Sequence, residues 1–67
     1  MLSARNQFKG KIKSVTFGDV VAEVIVSAGT LEIVSVISRT SAEHLSLKVG
    51  DEVTAVIKST EVLINKE

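Results

Sequence analysis

The middle of this chain carries two runs of β-branched residues separated by only three residues, and this pattern restricts the possible fold more than any other feature. Val20 to Ser27 reads VVAEVIVS, and Leu31 to Ser38 reads LEIVSVIS. Valine and isoleucine favour strands because their branched side chains pack well on a pleated sheet. The intervening Ala28-Gly29-Thr30 contains a turn-forming glycine. The pattern predicts an antiparallel β-hairpin inside an all-β architecture.

Further strand patterns flank this hairpin. Gln7 to Val15 alternates between lysines and the residues Phe8, Gly10 and Ile12, which predicts a strand with one buried face. Gly10 indicates a bulge or a sharp bend in that strand. Two more short strands are predicted near the end of the chain, over Glu52–Lys58 and Glu61–Ile64.

A short helix is predicted between the third and fourth strands. Thr40-Ser41-Ala42-Glu43 fits a capping box with Thr40 as the N-cap, followed by one helical turn through about Leu45. Five short strands with a helix between the third and the fourth are typical of a barrel like the oligonucleotide/oligosaccharide-binding (OB) fold. We therefore predict a five-stranded OB-like barrel.

The size of the chain limits the stability that a single copy can reach. Its 67 residues predict one domain, residues 1–67, and the absence of cysteine excludes disulfides and thiolate metal sites. Chains this short bury only about 60% of their unfolded surface. Hydrophobic residues nevertheless make up 45% of the sequence, more than one small barrel encloses. We therefore expect a homo-oligomer with apolar strands between its subunits.

The charge balance and composition disfavour several function classes. Eight basic and eight acidic residues give no formal net charge, which is unfavourable for binding nucleic acid or an anionic membrane. A nucleic-acid-binding barrel is an alternative, but the two phenylalanines are the only aromatic residues available for base stacking. No apolar run approaches the about 20 residues that cross a bilayer, and no signal peptide precedes the strands. The expected location is cytoplasmic.

Three clusters of hydrogen-bond donors indicate oxyanion binding rather than catalysis. Ser3-Ala4-Arg5-Asn6, Ser38-Arg39-Thr40-Ser41 and Lys58-Ser59-Thr60 each join a cation to short hydroxyl side chains. A tetrahedral dianion has only acceptors, so a selective site presents cations, hydroxyls and N–H groups. Each cluster also has a purely structural interpretation, as a solvated terminus, a helix cap or a charged strand end. No nucleophile is paired with a base, so we predict no catalytic residue and no enzyme.

The chain resembles the molbindins, the stand-alone members of the molybdate-binding TOBE-type domain family. The resemblance runs from Ser3 to about Ile64 and rests on the motifs SARNQFKGKI and SVISRTSAEHLSLKVGDEVTAVIKSTEV. It implies an OB-like barrel that assembles as a homohexamer, a trimer of dimers, and binds molybdate or tungstate between subunits for molybdenum storage and homeostasis. It implies no covalent cofactor and no directly ligated metal, since the molybdenum is held as molybdate.

The resemblance also implies the residues of the oxyanion site. One subunit would supply Ser3, Arg5, Lys58 and Ser59, a neighbouring subunit would supply Ser38 and Ser41, and the backbone amides of Ala4 and Ala42 would be further donors. An alternative is a molybdate-sensing module that acts through a protein partner. The start at Met1 and the charged end Asn65-Lys66-Glu67 favour a free-standing domain over a fused one.

Overall fold

The computed structural model of the chain describes residues 2–66, in which four strands form one antiparallel sheet. The elements are β1 (Asn6–Phe17), β2 (Val21–Ala28), β3 (Leu31–Ser38), α1 (Arg39–His44) and β4 (Glu52–Ile57), followed by a 3₁₀ helix, Ser59–Glu61. The sheet order is β3-β2-β1-β4. The predicted hairpin, the long first strand and the helix between the third and fourth strands are confirmed. No helix in this part of the chain is long and apolar enough to cross a membrane.

The long strand β1 is shared by two halves of the sheet. Its first half pairs with β4 and its second half pairs with β2, and the β2 ladder shifts register between Ile12 and Ser14. A Cβ atom on Gly10 would lie 2.3 Å from the carbonyl oxygen of Ser27. Only a residue without a side chain lets the β2 backbone come so close to β1. An irregularity in β1 is confirmed, but the register shift lies just beyond Gly10, between Ile12 and Ser14; Gly10 itself is where the Ser27 backbone comes close to β1.

The buried core of the protein is small. Among the described residues, the buried side chains are those of Ile12, Ala22, Val24, Val26 and Ala42. Half-buried apolar side chains surround them, namely Val15, Ile33, Ile37, Leu47 and Val53. Many large apolar residues stay outside this core, including Val34 and Val36 on the outer side of β3. This distribution agrees with the expectation that part of the apolar surface is not covered within one chain.

The predicted fifth strand, Glu61–Ile64, does not form in the single chain. Glu61 ends the 3₁₀ helix, and residues 62–66 have no strand partner. Leu63 and Ile64 are 91% and 88% exposed, so this segment has the apolar side chains of a strand but does not pair with either edge of the sheet. The sheet therefore remains open within residues 2–66. A trough of about 1070 Å³ lies between β3 and β4, lined largely by apolar side chains.

The start of α1 also differs from the prediction. Ser38 is the N-cap, and its Oγ accepts a hydrogen bond of 3.1 Å from the backbone N–H of Ser41. Because β3 ends at Ser38 in an extended conformation, the helix begins at Arg39 and Thr40 falls inside its first turn. Glu43 accepts a 3.3 Å hydrogen bond from Arg39 Nε instead of bonding back to a cap. The predicted capping box of Thr40 and Glu43 is therefore wrong.

Candidate oxyanion-binding site

The first and third donor clusters meet at one corner of the sheet, which we call the β1–β4 corner (Ser3, Ala4, Arg5, Lys58 and Ser59). Antiparallel pairing sets Asn6 opposite Ile57. Arg5 and Lys58, which flank this pair, are therefore neighbours although they come from the two ends of the sequence, and Ser3, Ala4 and Ser59 follow within two residues along the chain. Ser3, Arg5, Lys58 and Ser59 are exposed, and Ala4 is half-buried. The strand register thus brings together two clusters that the sequence separates.

The cations of the β1–β4 corner form no ion pair with any other residue of the described range, 2–66. The ion pairs among residues 2–66 are Lys13–Glu32 and Arg39–Glu43, so Arg5 and Lys58 keep their donors free. Guanidinium and ammonium groups form strong, charge-assisted hydrogen bonds with oxyanions. The nearest carboxylate along the chain belongs to Glu61, in the 3₁₀ helix that follows Lys58. The corner therefore presents two positive charges and two hydroxyls to solvent.

Gln7 fixes the backbone of the segment before β1. Its Nε2 donates to the carbonyl oxygen of Ala4 at 2.6 Å, and its backbone N–H donates to the carbonyl oxygen of Arg5 at 3.1 Å. These bonds hold the chain in a tight bend as it enters the sheet. Sequence reasoning missed this contribution, because a glutamine in a strand gives no sign that its side chain will bond back to the preceding segment.

The middle donor cluster forms a separate feature, the β3–α1 junction (Ser38, Arg39, Thr40, Ser41 and Ala42). Ser38 Oγ donates to Ser41 Oγ at 2.8 Å while it accepts the Ser41 N–H. The Ser38 hydroxyl therefore acts as both donor and acceptor within the junction, whereas the Ser41 hydroxyl only accepts there and can donate its proton to an external group. Ala42 has no exposed surface, so in the single chain an external anion does not reach its amide.

The two features lie at opposite ends of β1. Ser38 pairs with Val21 at the start of β2, and the adjacent Ala22 pairs with Phe17 at the end of β1. The β1–β4 corner lies instead at the beginning of β1. At about 3.3 Å per residue, a strand of this length spans up to roughly 36 Å, although the bend shortens the direct path. One chain therefore sets Arg5 beside Lys58, with Ser3 and Ser59 close to them along the chain, but does not bring the serines of the junction to this end of β1.

Comparison with known proteins places the chain in a family. The family model described as the TOBE domain matches residues 2–64. The chain belongs to the TOBE domain family. This TOBE domain is 53% identical to "Molybdenum-pterin-binding protein 3" of Clostridium pasteurianum over 64 residues, 94% of each chain. The resemblance that the two sequence motifs indicated is confirmed.

Solved structures agree with this assignment. The TOBE domain is similar to MopII from Clostridium pasteurianum with a TM-score of 0.92 and 48% identity, over 98% of this chain and all of the other. It is also similar to ModG, a cytoplasmic molybdate-binding protein solved with molybdate bound. That match has a TM-score of 0.83 and 38% identity, over 88% of this chain and 43% of ModG. Where these names state an activity, it is binding and not a reaction.

Proposed function

We propose that this TOBE domain binds molybdate or tungstate as an intact tetrahedral oxyanion, in the cytoplasm, for molybdenum storage and homeostasis. The observation that carries the proposal is the convergence of Arg5 and Lys58, with Ser3 and Ser59, at the β1–β4 corner. Two unpaired cations match the two charges of the anion, and the hydroxyls supply neutral donors. The molybdate-binding relative ModG and the molybdenum-pterin-binding relative support the choice of molybdenum. The proposed role is binding without catalysis.

We propose further that two subunits complete each site. The β3–α1 junction lies at the other end of β1 from the β1–β4 corner, so the Ser38 and Ser41 hydroxyls would come from a neighbouring copy. The Ala4 amide is a further donor candidate at the corner. The Ala42 amide would take part only if the buried first turn of α1 moved on assembly.

The assembly in this proposal is a homohexamer, a trimer of dimers, built from single-domain chains. The small core, the open edges of β3 and β4 and the exposed Leu63 and Ile64 support it. In the oligomer, residues 61–64 would add the fifth strand and complete the OB-like barrel. An isolated strand is not stable, whereas one that gains a partner ladder and a covered apolar face is.

Selectivity in this proposal follows from charge and hydrogen bonding. The two cations favour a dianion over a monovalent anion. The proposed set contains no carboxylate to accept the proton that phosphate retains near neutral pH, so phosphate is disfavoured as well. Sulfate carries the same charge as molybdate and no proton, so only the size of the closed site separates the two. A molybdate sensor acting through a protein partner would use the same site and would differ only in that partner.

Native mass spectrometry tests the function and the assembly together. The protein is measured alone, with molybdate, with tungstate and with sulfate at equal concentration. We expect a hexamer that gains several molybdates or tungstates and no sulfate, and a Tm that rises with molybdate because the anion binds only the assembled state. A protein that stays monomeric, or an oligomer that ignores molybdate, would contradict the proposal.

A further inference from the structure

Among the described residues, the Arg39 side chain donates more hydrogen bonds than that of any other lysine or arginine. Its Nη1 donates to the carbonyl oxygen of Gly18 at 3.0 Å, and its Nε donates to Glu43 at 3.3 Å. Its guanidinium carbon lies 5.6 Å from the centre of the Phe17 ring. Its backbone N–H donates to the carbonyl oxygen of Val20 at 2.8 Å. Arg39 therefore joins the start of α1 to the turn between β1 and β2.

We propose that Arg39 is a positioning residue that holds the Ser38 and Ser41 hydroxyls in place for the oxyanion and does not itself bind the anion. The proposal rests on the proposed function, because it assigns a task to Arg39 only if the two serines are donors. Arg39 lies directly between them in sequence, at the first position of the helix. Its guanidinium is already committed to a carbonyl, a carboxylate and an aromatic face.

The shortness of α1 explains why such an anchor is needed. The helix has six residues, and isolated helices shorter than about 12 residues are marginal in water. Its position must therefore come from contacts with the rest of the chain. Ala42 is fully buried and packs α1 against the protein. The Arg39 side chain bonds the first turn of α1 to the carbonyl oxygen of Gly18. The N–H of Gly18 in turn donates to the carbonyl oxygen of Val21 at 2.8 Å. Without the Arg39 side chain, the first turn would keep only the Ser38 cap and the backbone bond from residue 39 to the Val20 carbonyl.

A direct anion ligand and a positioning residue respond in opposite ways to the loss of Glu43. If Arg39 bound the anion, Glu43→Ala would release its guanidinium and remove a repelling carboxylate, so molybdate would bind more tightly. If Arg39 positions the serines, the same substitution loosens its hold on the helix, and binding weakens. The sign of the change therefore separates the two roles.

The test is isothermal titration of the assembled protein with molybdate. We expect Arg39→Ala to weaken binding about fivefold, the equivalent of one hydrogen bond, and Glu43→Ala to weaken it by a smaller factor. Lys48→Ala is the matched control. It also removes an exposed cation, and Lys48 forms no ion pair within residues 2–66. We expect its affinity to equal that of the wild type.

Coupling to Ser41 separates positioning from a general loss of stability. In a Ser41→Ala background, Arg39→Ala should cost much less affinity than in the wild type, because the hydroxyl that it positions is already gone. An NMR hydrogen-exchange experiment should show the Ser41 amide exchanging faster in Arg39→Ala while the Val24 and Val26 amides stay protected. If Arg39→Ala does not fold, the coupling to Ser41→Ala is measured with Glu43→Ala instead.

Three results would overturn the inference. Tighter binding in Glu43→Ala would make Arg39 a ligand, and unchanged binding in Arg39→Ala would give it no role at the site. Additive effects of the Arg39 and Ser41 substitutions would show that the two act independently. In each case the wild type still binds molybdate, so the proposed function survives. A wild-type protein that binds no molybdate would instead remove the proposed function, and this inference with it.

Discussion

The β1–β4 corner and the β3–α1 junction are built in opposite ways. At the corner, strand pairing brings two cations together, and their side chains are exposed and free of ion pairs within residues 2–66. At the junction, the one cation is committed to its own chain, and the two serine hydroxyls bond to each other. The corner offers charge without fixed side-chain geometry, and the junction offers fixed geometry without free charge.

This difference suggests a division of labour between the two regions. Charge-assisted bonds are the strong ones, so the corner would supply most of the affinity for a dianion. Neutral donors held in place add less energy but respond to the shape of the anion, so the junction would supply discrimination. Substitutions at the corner and at the junction should therefore differ in size and in what they change.

The largest effect should come from Gly10→Ala, which acts where the β2 backbone at Ser27 lies against β1. The new Cβ would lie 2.3 Å from the Ser27 carbonyl oxygen, and a backbone atom in a ladder cannot yield easily. We expect the free energy of unfolding to fall by about 3 kcal/mol, measured by urea denaturation at fixed protein concentration. Gly18→Ala is the control, since its Cβ would lie 3.2 Å from the Val21 carbonyl oxygen. If the free energy of unfolding fell equally in both variants, the close approach of Ser27 to Gly10 would not be what makes position 10 require glycine.

The next effect is that of Arg5→Ala on molybdate affinity. An exposed arginine without an ion pair can be lost without harm to the fold, while one or two charge-assisted bonds to the anion disappear. We expect binding to weaken by about 2 kcal/mol, or roughly thirtyfold, in titration calorimetry. Lys9→Ala removes an exposed cation of β1, four residues farther along the chain, and should leave affinity unchanged. An assembled Arg5→Ala protein with wild-type affinity would rule out the β1–β4 corner as the charged half of the site.

Ser38→Ala should change both stability and binding. Its Oγ caps α1, and loss of an N-cap costs about 1 kcal/mol, so Tm should fall together with molybdate affinity. Thr40→Ala is the control, because Thr40 lies inside the first turn and the structure gives it no capping bond. If Thr40→Ala lowered Tm as much as Ser38→Ala does, the cap would lie where the sequence pattern first placed it.

The smallest effect should be that of Ser41→Ala. This variant distinguishes the role of Ser41 from that of Ser38, the other serine of the junction. The Ser41 hydroxyl accepts from Ser38 but does not cap the helix, so Tm should hardly change. Affinity should fall by about 1 kcal/mol, or roughly fivefold, for one lost hydrogen bond. Equal affinity in the variant and the wild type would remove Ser41 from the site.

Local patterns in the sequence were enough to predict most of the strands. The β-branched runs on either side of Ala28-Gly29-Thr30 predicted the hairpin, and lysine alternation predicted the exposed side of β1. The cap of α1 was mistaken because two overlapping patterns compete there, Ser38 with Ser41 and Thr40 with Glu43. The end point of β3 decides between them, and pairing with β2 sets that end point.

The candidate site was predictable only in part. Composition identified donor clusters, and the resemblance grouped them, but no local pattern shows that Arg5 and Lys58 are neighbours. That follows from the pairing of β1 with β4. The same limit applies to residues 61–64, whose apolar character suits a strand but whose partner is not within the chain. Likewise, Arg39 was grouped with possible anion donors, and only the fold showed that its guanidinium is occupied.

The open edges of β3 and β4 also bear on the symmetry of any assembly. A copy that joins like to like, β3 to β3 or β4 to β4, closes on a two-fold axis and leaves no further edge of that kind. A copy that joins β3 to β4 leaves an unlike pair of edges at its ends, and the contact repeats until a ring closes or a filament grows. Because β3 and β4 are the two edges of one sheet, a dimer formed at one edge still presents the other edge on both copies, and the particle closes only when that second edge is paired or covered.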